Sequence, residues 1–384
     1  MNKFIKIIFF LILGHSQLFL TLAVSEEKIQ IGLLVPMTGN NKDVGQSIIK
    51  AARMATKNIN SDIIEIVPKD TASSPEKTLK SALELQNIGV KIIIGPVFHQ
   101  SLSYLDEING ITFLSLTNKT LNLPKNVISA GINSTSQFNT IKKFLKLNNV
   151  KKTISLIPIQ DYELEVKKGI QDSKIKIFKK YDYNTDPTIL TNQIEDITNY
   201  KIRKQNLEDE ILRIKNSNEI NKEKKIKRLE KRYTLGRLNF DAIVIADFDK
   251  SLKSVSTSLL YTDVSPKNKY FITLNQWFDD SLTKEINIQP IYYPSINKNN
   301  FEDFKNQFYL EFNEYPSHLS LLSYDLIGLV YYLSLKSDLT NVNNLFKKKN
   351  FFKGKIGIFE IKDNRINHEL NFYKIYDKKI IKIF

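Results

Sequence analysis

Short β-branched runs recur at 63–67, 92–94, 112–116, 153–157, 242–246 and 270–273, and stretches of helical character separate them. This alternation constrains the chain to βαβ units and mostly parallel sheets, because a parallel neighbour is reached only through a crossover. Ahead of the first run, residues 28–39 form an apolar strand that leads into Pro36 and Gly39, and a later strand ends in Gly95-Pro96-Val97-Phe98. Open α/β sheets hold their ligands at such strand ends, so function is expected there.

The rest of the chain fits the same plan. With 384 residues and 42% hydrophobic content, two domains are expected on a scale of roughly 150 residues each. Ser74 followed by Pro75 supplies an N-cap oxygen and a proline whose missing N–H costs nothing at that position, which predicts a helix over 75–87 that ends at Gly89. The apolar run 319–335 is interrupted by Ser320, Ser323, Tyr324 and Asp325. It is too short to span a bilayer and reads as a core helix. Residues 354–359 and 371–376 read as closing strands around a turn at Lys362-Asp363-Asn364.

One segment breaks the rhythm. Between 200 and 237, Ile202, Leu207, Ile211 and Ile214, then Ile226, Leu229 and Tyr233, give one apolar stripe per helix in a charged background, with Asn216-Ser217-Asn218 turning the chain between them. Residues 201–232 hold twelve Lys or Arg against six Asp or Glu, so this helical hairpin carries +6 of a net charge of +15. It is either a solvated elaboration or a partner-docking surface. The remaining excess accompanies abundant Lys, Asn, Ile and Phe, and no nucleic-acid motif goes with it, so nucleic acid is not an expected partner.

At the N-terminus, Lys3 and Lys6 precede the apolar run 7–13, and a second apolar stretch, 18–24, leads to small residues. Gly14-His15-Ser16-Gln17 interrupts the pattern short of a membrane span, so the segment reads as a secretory signal with cleavage after Ala23 or Ser25. The chain has no cysteine. Disulfides, thiolate nucleophiles, Cys-ligated metals and a lipid anchor on cysteine are thereby excluded, and a soluble exported protein is expected.

No catalytic constellation emerges, and neither a cofactor nor a metal is expected. The four histidines (His15, His99, His318, His368) lack metal-ligand spacing, and no Gly-x-Ser-x-Gly elbow is present. Five residues separate Gly39 from Gly45, and Gln46 stands where a phosphate loop requires lysine. Gly45 and Gln46 instead open a helix whose free N–H groups face the preceding loop. His99, just beyond a strand end, faces a cleft or lies on a surface loop. Trp277, the only tryptophan, reads as a hinge or core residue with ligand stacking as the alternative.

From about Ile29 to the C-terminus, the hairpin apart, the chain resembles the leucine/isoleucine/valine-binding family of type I periplasmic solute-binding proteins. The resemblance rests on Ile31-Gly32-Leu33-Leu34-Val35-Pro36 with Thr38-Gly39, on Asp70-Thr71 before a helix, on Ile94-Gly95-Pro96 and on Tyr324-Asp325. Within the family it is most similar to the penicillin-binding-protein activator subgroup, through Gly95-Pro96-Val97-Phe98, Phe240-Asp241-Ala242, Ala246-Asp247 and Gln276-Trp277-Phe278-Asp279. The resemblance implies an α/β, two-lobed Venus-flytrap fold with two mostly parallel sheets and a hinge of three crossovers. It places a signal at 1–25, lobe 1 at 26–132 plus 276–338, and lobe 2 at 133–275 plus 339–384, with the hairpin 201–235 inserted in lobe 2.

By that resemblance the chain is a non-catalytic, periplasmic regulator of cell-wall synthesis that meets a cell-wall synthase in the membrane and closes on a small polar ligand. The alternative is the binding component of an ABC importer for amino acids, partnered by a permease. In that alternative Thr38, Ser101, Thr117 and Asn118 hold the ligand's carboxylate from one lobe and Tyr162, Asp247 and Gln276 meet its other end from the second, and His99, Gln100 and Trp277 are further ligand-binding candidates. The sequence departs from the amino-acid carriers where His99 and Gln100 precede Ser101, where Gln276 stands near the expected ammonium-binding acid, and where Glu163 follows Tyr162.

Overall fold

The computed structural model describes residues 28–60, 63–336, 346, 349–362 and 365–384. The expected signal at 1–25 and the turn residues Asp363 and Asn364 lie outside them. The chain begins with β1 (Ile29–Val35), α1 (Lys42–Ile59), β2 (Ile64–Asp70), α2 (Pro75–Asn87), β3 (Ile92–Ile94), β4 (Thr112–Ser115) and β5 (Val127–Ser129). It crosses to a second body made of α3 (Ser134–Leu147), β6 (Thr153–Pro158), α4 (Glu163–Ser173), β7 (Lys179–Tyr183), α5 (Pro187–Ile197), α6 (Tyr200–Lys215), α7 (Lys222–Leu229), β8 (Ala242–Ile245), α8 (Asp249–Tyr261), β9 (Tyr270–Thr273) and β10 (Ile291–Ser295). It returns through α9 (Lys298–Phe312), α10 (His318–Ser334), β11 (Asn350–Lys353), β12 (Ile358–Lys362) and β13 (Arg365–Glu369). A third crossing leads to β14 (Asn371–Tyr376) and β15 (Lys379–Lys382).

The first sheet has the order β11-β12-β13-β5-β4-β3-β1-β2, and the second β15-β14-β10-β9-β8-β6-β7. The central strands of both run parallel, and antiparallel hairpins close one edge of each. Two expectations need correction. Residues 291–295, read as part of lobe 1, pair with β9 and β14 in the second sheet, while 350–369, read as part of lobe 2, extends the first sheet beside β5. The second and third crossings therefore fall at 295–298 and 369–371, because β10 has strand partners only in the second sheet. The expected strand 354–359 is a turn closed by Gly354 N–H to Gly357 O at 2.9 Å, and β12 begins only at Ile358.

Helix α1 shows why the packing is specific. Its stripe Ile48, Ala51, Ala52 and Ala55 is buried at helical spacing, small residues let α10 approach, and Ser47 and Ser320 share a hydrogen bond at 2.7 Å. Gly45 is obligatory there, since a Cβ would sit 1.8 Å from the Pro36 carbonyl oxygen. Each Ile or Leu fully buried in these cores contributes roughly 1.5–3 kcal/mol. The helical hairpin forms as α6 and α7, which share a small core of Leu207, Ile214 and Leu229. Buried Arg203 ties its base to the second lobe through the Thr262 carbonyl (3.0 Å) and joins the two ends of the hairpin through the Thr234 hydroxyl (2.6 Å). No helix among the described residues is long and apolar enough to cross a membrane.

Candidate functional site: the cleft between the lobes

The three crossings are bound to one another by side chains. Asn133 caps α3 by accepting from Ser136 N–H at 2.9 Å and donates to the Ile366 carbonyl at 3.0 Å. Asn275 donates its backbone N–H to Gln137 Oε1 at 2.7 Å, while its Oδ1 accepts from Trp277 N–H (3.0 Å) and from the Ser295 hydroxyl (2.8 Å). His368, 4% exposed, donates from Nε2 to the Ala130 carbonyl at 2.9 Å. Its Nδ1 has no partner, and burial pushes the imidazole down to about 4.

In front of this hinge, at the carboxyl ends of β3, β4, β8 and β9, lies a cavity of about 410 Å³. That volume suits a small organic ligand. The first lobe contributes Phe98, His99, Thr117, Asn118 and Lys119, together with His318 and Leu322 from the start of α10. The second lobe contributes Phe248 and Trp277. Trp277 (φ 48°) and Phe278 (φ 62°) both occupy the left-handed region, a strain that the Asn275 bond to Trp277 N–H helps to hold. The Trp277 ring packs on His318 of the facing lobe with centroids 4.7 Å apart. Burial, with Lys119 adding repulsion, lowers the His99 pKa. Burial alone lowers that of His318, whose ring faces the cleft yet is crowded by both lobes. The two imidazoles are therefore neutral at pH 7.

Two carboxylates beside the cleft, Asp247 and Glu165, are engaged by internal donors. Asp247, 2% exposed, accepts from the hydroxyls of Tyr162 (3.1 Å), Tyr183 and Ser251 and from Phe248 N–H (2.8 Å). Burial and the neighbouring Asp247 charge push both tyrosine pKa values well above the usual phenol range. Glu165, on α4 of the second lobe, reaches across to the first. Its oxygens accept from Thr120 N–H (2.9 Å), Leu121 N–H (2.8 Å) and the Thr120 hydroxyl (2.9 Å). This latch holds the lobes together at the rim.

The structure thus brings His99, Thr117, Asn118 and Trp277 to one cavity. Thr38 is elsewhere, its hydroxyl given to Asp70 at 2.6 Å. Gln100 is exposed, and Ser101 is buried in the turn that follows β3 with its hydroxyl unpartnered. Tyr162 and Asp247 are engaged with each other. Gln276 points into its own lobe, donating to Asp247 O (3.2 Å) and Thr273 Oγ1 (3.1 Å). Sequence reasoning missed Lys119, Glu165, Phe248 and His318. Only Lys119, two residues beyond Thr117 at the end of a strand, lay where local pattern pointed. Among the described residues no group of three or more metal-ligating side chains assembles.

Residues 28–173 match the family model described as periplasmic binding protein, whereas no curated protein matches the sequence. The C-domain of LpoA (YraM) from Haemophilus influenzae, described as a regulator of PBP1A, is similar in structure at a TM-score of 0.59 and 16% identity, over 92% of this chain and 100% of that one. Full-length LpoA from the same organism gives 0.60 at 16% identity over 93% of this chain, which covers only 59% of the longer protein. The leucine-binding protein LivK from Thermotoga maritima gives 0.56 at 14% identity, over 93% and 98%. At these identities the likeness establishes the fold, which is the two-lobed architecture of type I periplasmic binding proteins. These relatives are binding and regulatory proteins.

Proposed function

We propose that this chain is a non-catalytic, exported binding protein that regulates a cell-wall synthase held in the membrane, in the manner that the LpoA description assigns to that protein. Residues 1–25 act as its export signal, and the mature chain works outside the inner membrane. The observation that carries this reading over amino-acid delivery is the state of Asp247 and Glu165 beside a cavity that no Asp or Glu lines. An importer for amino acids needs an acid free to meet the ligand's ammonium, whereas Asp247 answers four internal donors and Glu165 is engaged as the latch between lobes. A protein whose lobes are fastened together is suited to present a fixed surface to a partner. The exposed, basic outer face of α6 and α7 is the docking element of this reading.

The match to LivK over 98% of that chain supports the importer as the second reading. Capture on the mature chain, residues 26–384, from detergent-solubilised membranes separates the two. Recovery of a cell-wall synthase, with a rise in its polymerising or cross-linking rate when the pure chain is added, is the expected result. Recovery of an ABC permease, with no effect on the synthase, would establish the importer instead.

A further inference from the structure

We propose that the interlobe cleft selects an aromatic or branched apolar carboxylate that bears no ammonium group, an arylacetate or a 2-oxo acid being the chemical type. This deepens the reading of the cleft as the ligand site of a two-lobed binding protein and rests on it.

The first argument is charge. No Asp or Glu lines the cavity, and its one ammonium, Lys119, has no ion pair among the described residues. Asp247 and Glu165 are saturated by internal donors, so a ligand ammonium enclosed among the lining residues would meet no carboxylate there, and an unpaired buried charge is strongly disfavoured. A ligand carboxylate meets the reverse situation. Lys119 offers a charge-assisted contact, and Asn118 adds an amide. His99 and His318, held neutral, each keep one ring N–H to donate. His99 has a second mark of an unfilled site, since its Nδ1 is buried and lacks any hydrogen-bond partner, a situation native structures rarely leave without a role.

The second argument is shape. Phe98, Phe248 and Trp277 supply aromatic faces, with Leu116, Ile132 and Leu322 closing the apolar end. The strained backbone at Trp277 fixes its ring against His318, so a flat apolar group meets a preformed slot. Free inorganic anions make no use of such walls.

Trp277 is the only tryptophan of the chain and lies in the wall, so its fluorescence reports occupancy directly. The mature chain is titrated with phenylacetate, phenylpyruvate, phenylalanine and phenethylamine. The proposal expects saturable changes with the first two, binding of phenylalanine at least tenfold weaker, and no response to phenethylamine. Lys119→Met should weaken phenylacetate binding tenfold or more while leaving the melting temperature of the free protein in place, which distinguishes a lost contact from a damaged fold. Phenylalanine binding as tightly as phenylacetate, or no response to either acid in a folded protein, would overturn the proposal. Synthase capture run on the same preparation keeps the two readings apart. Capture with no acid response refutes the ligand class alone, and acid binding with no capture refutes the regulator reading alone.

Discussion

Removing the Glu165 latch should open the molecule. The Glu165 side chain is 7% exposed and accepts two backbone N–H bonds and one hydroxyl bond from residues 120 and 121 of the opposite lobe. Hydrogen bonds to a charged acceptor are worth about 1.5–3 kcal/mol net, and because all the groups regain water when the lobes part, the low end applies, giving about 4.5 kcal/mol for the set of three. An ion pair between the lobes, Arg365 with Asp172 at 3.0 Å, joins side chains 38% and 20% exposed and adds little. Glu165→Ala should therefore shift the closed-to-open ratio by about a thousandfold, at about 1.4 kcal/mol per factor of ten. Thr120→Val, which removes only the hydroxyl bond, should shift it by about tenfold. The chain has no cysteine, so single cysteines introduced at exposed Lys125 and Gln160, one on each lobe, carry a unique dye pair for single-molecule energy transfer. A Glu165→Ala distribution that superimposes on wild type would refute the latch.

Three further outcomes follow from the same geometry. His368 has its pKa depressed to about 4 from an ordinary value near 6.5, so the stability it contributes is complete above pH 6.5 and is lost as pH falls toward 4. At pH 5 the loss is about 2 kcal/mol, and urea unfolding of His368→Gln against wild type at pH 5 and pH 7 should show the gap narrowing by that amount at the lower pH. Asp247→Ala leaves the hydroxyls of fully buried Tyr183 and half-buried Tyr162 without their acceptor and should cost about 3 kcal/mol in chemical denaturation; a cost below about 1 kcal/mol would mean the tyrosines find other partners. Reversing exposed Lys224, Lys227 and Arg228 to Glu should change stability by less than about 0.5 kcal/mol yet reduce synthase capture, and undiminished capture would place the docking face elsewhere.

The parts of the fold legible in sequence are those with local physical causes. Ser74-Pro75 starts a helix that spans Pro75–Asn87, the residues expected, because capping is settled within four positions. Strands such as β3, three consecutive isoleucines, announce themselves. By contrast β7, Lys-Lys-Tyr-Asp-Tyr at the edge of its sheet, has mostly exposed side chains and no apolar run to read. β10 contains Pro294, which argues against a strand until its partners are known. The lobe boundaries failed for the same reason. The contacts that set them join residues 138, 232 and 238 positions apart, and such pairings leave no local trace. In the cleft, His99 and Trp277 could be read as loop residues at strand ends, but that Asp247 turns inward depends on Tyr183 of β7, two strands away, and that Gln276 does so depends on the Asp247 carbonyl beyond β8.

The latch and the cleft share one short segment, and this couples them. Lys119 lines the cavity, and the next two residues, Thr120 and Leu121, hold Glu165. A carboxylate drawn to Lys119 steadies the strip of backbone on which the latch closes, so ligand and latch favour the same closed state. Each also limits the other. If the latch alone keeps the open form near one molecule in a thousand, a ligand that must come in through the open form associates about a thousandfold more slowly than with an unlatched protein. Its departure is slowed as well. Glu165→Ala should then speed both association and dissociation of phenylacetate, the sign of a gate, whereas loss of a direct ligand contact would speed dissociation alone. Such kinetics suit a protein that holds one shape for a partner over long times better than one that loads and unloads cargo at every transport cycle.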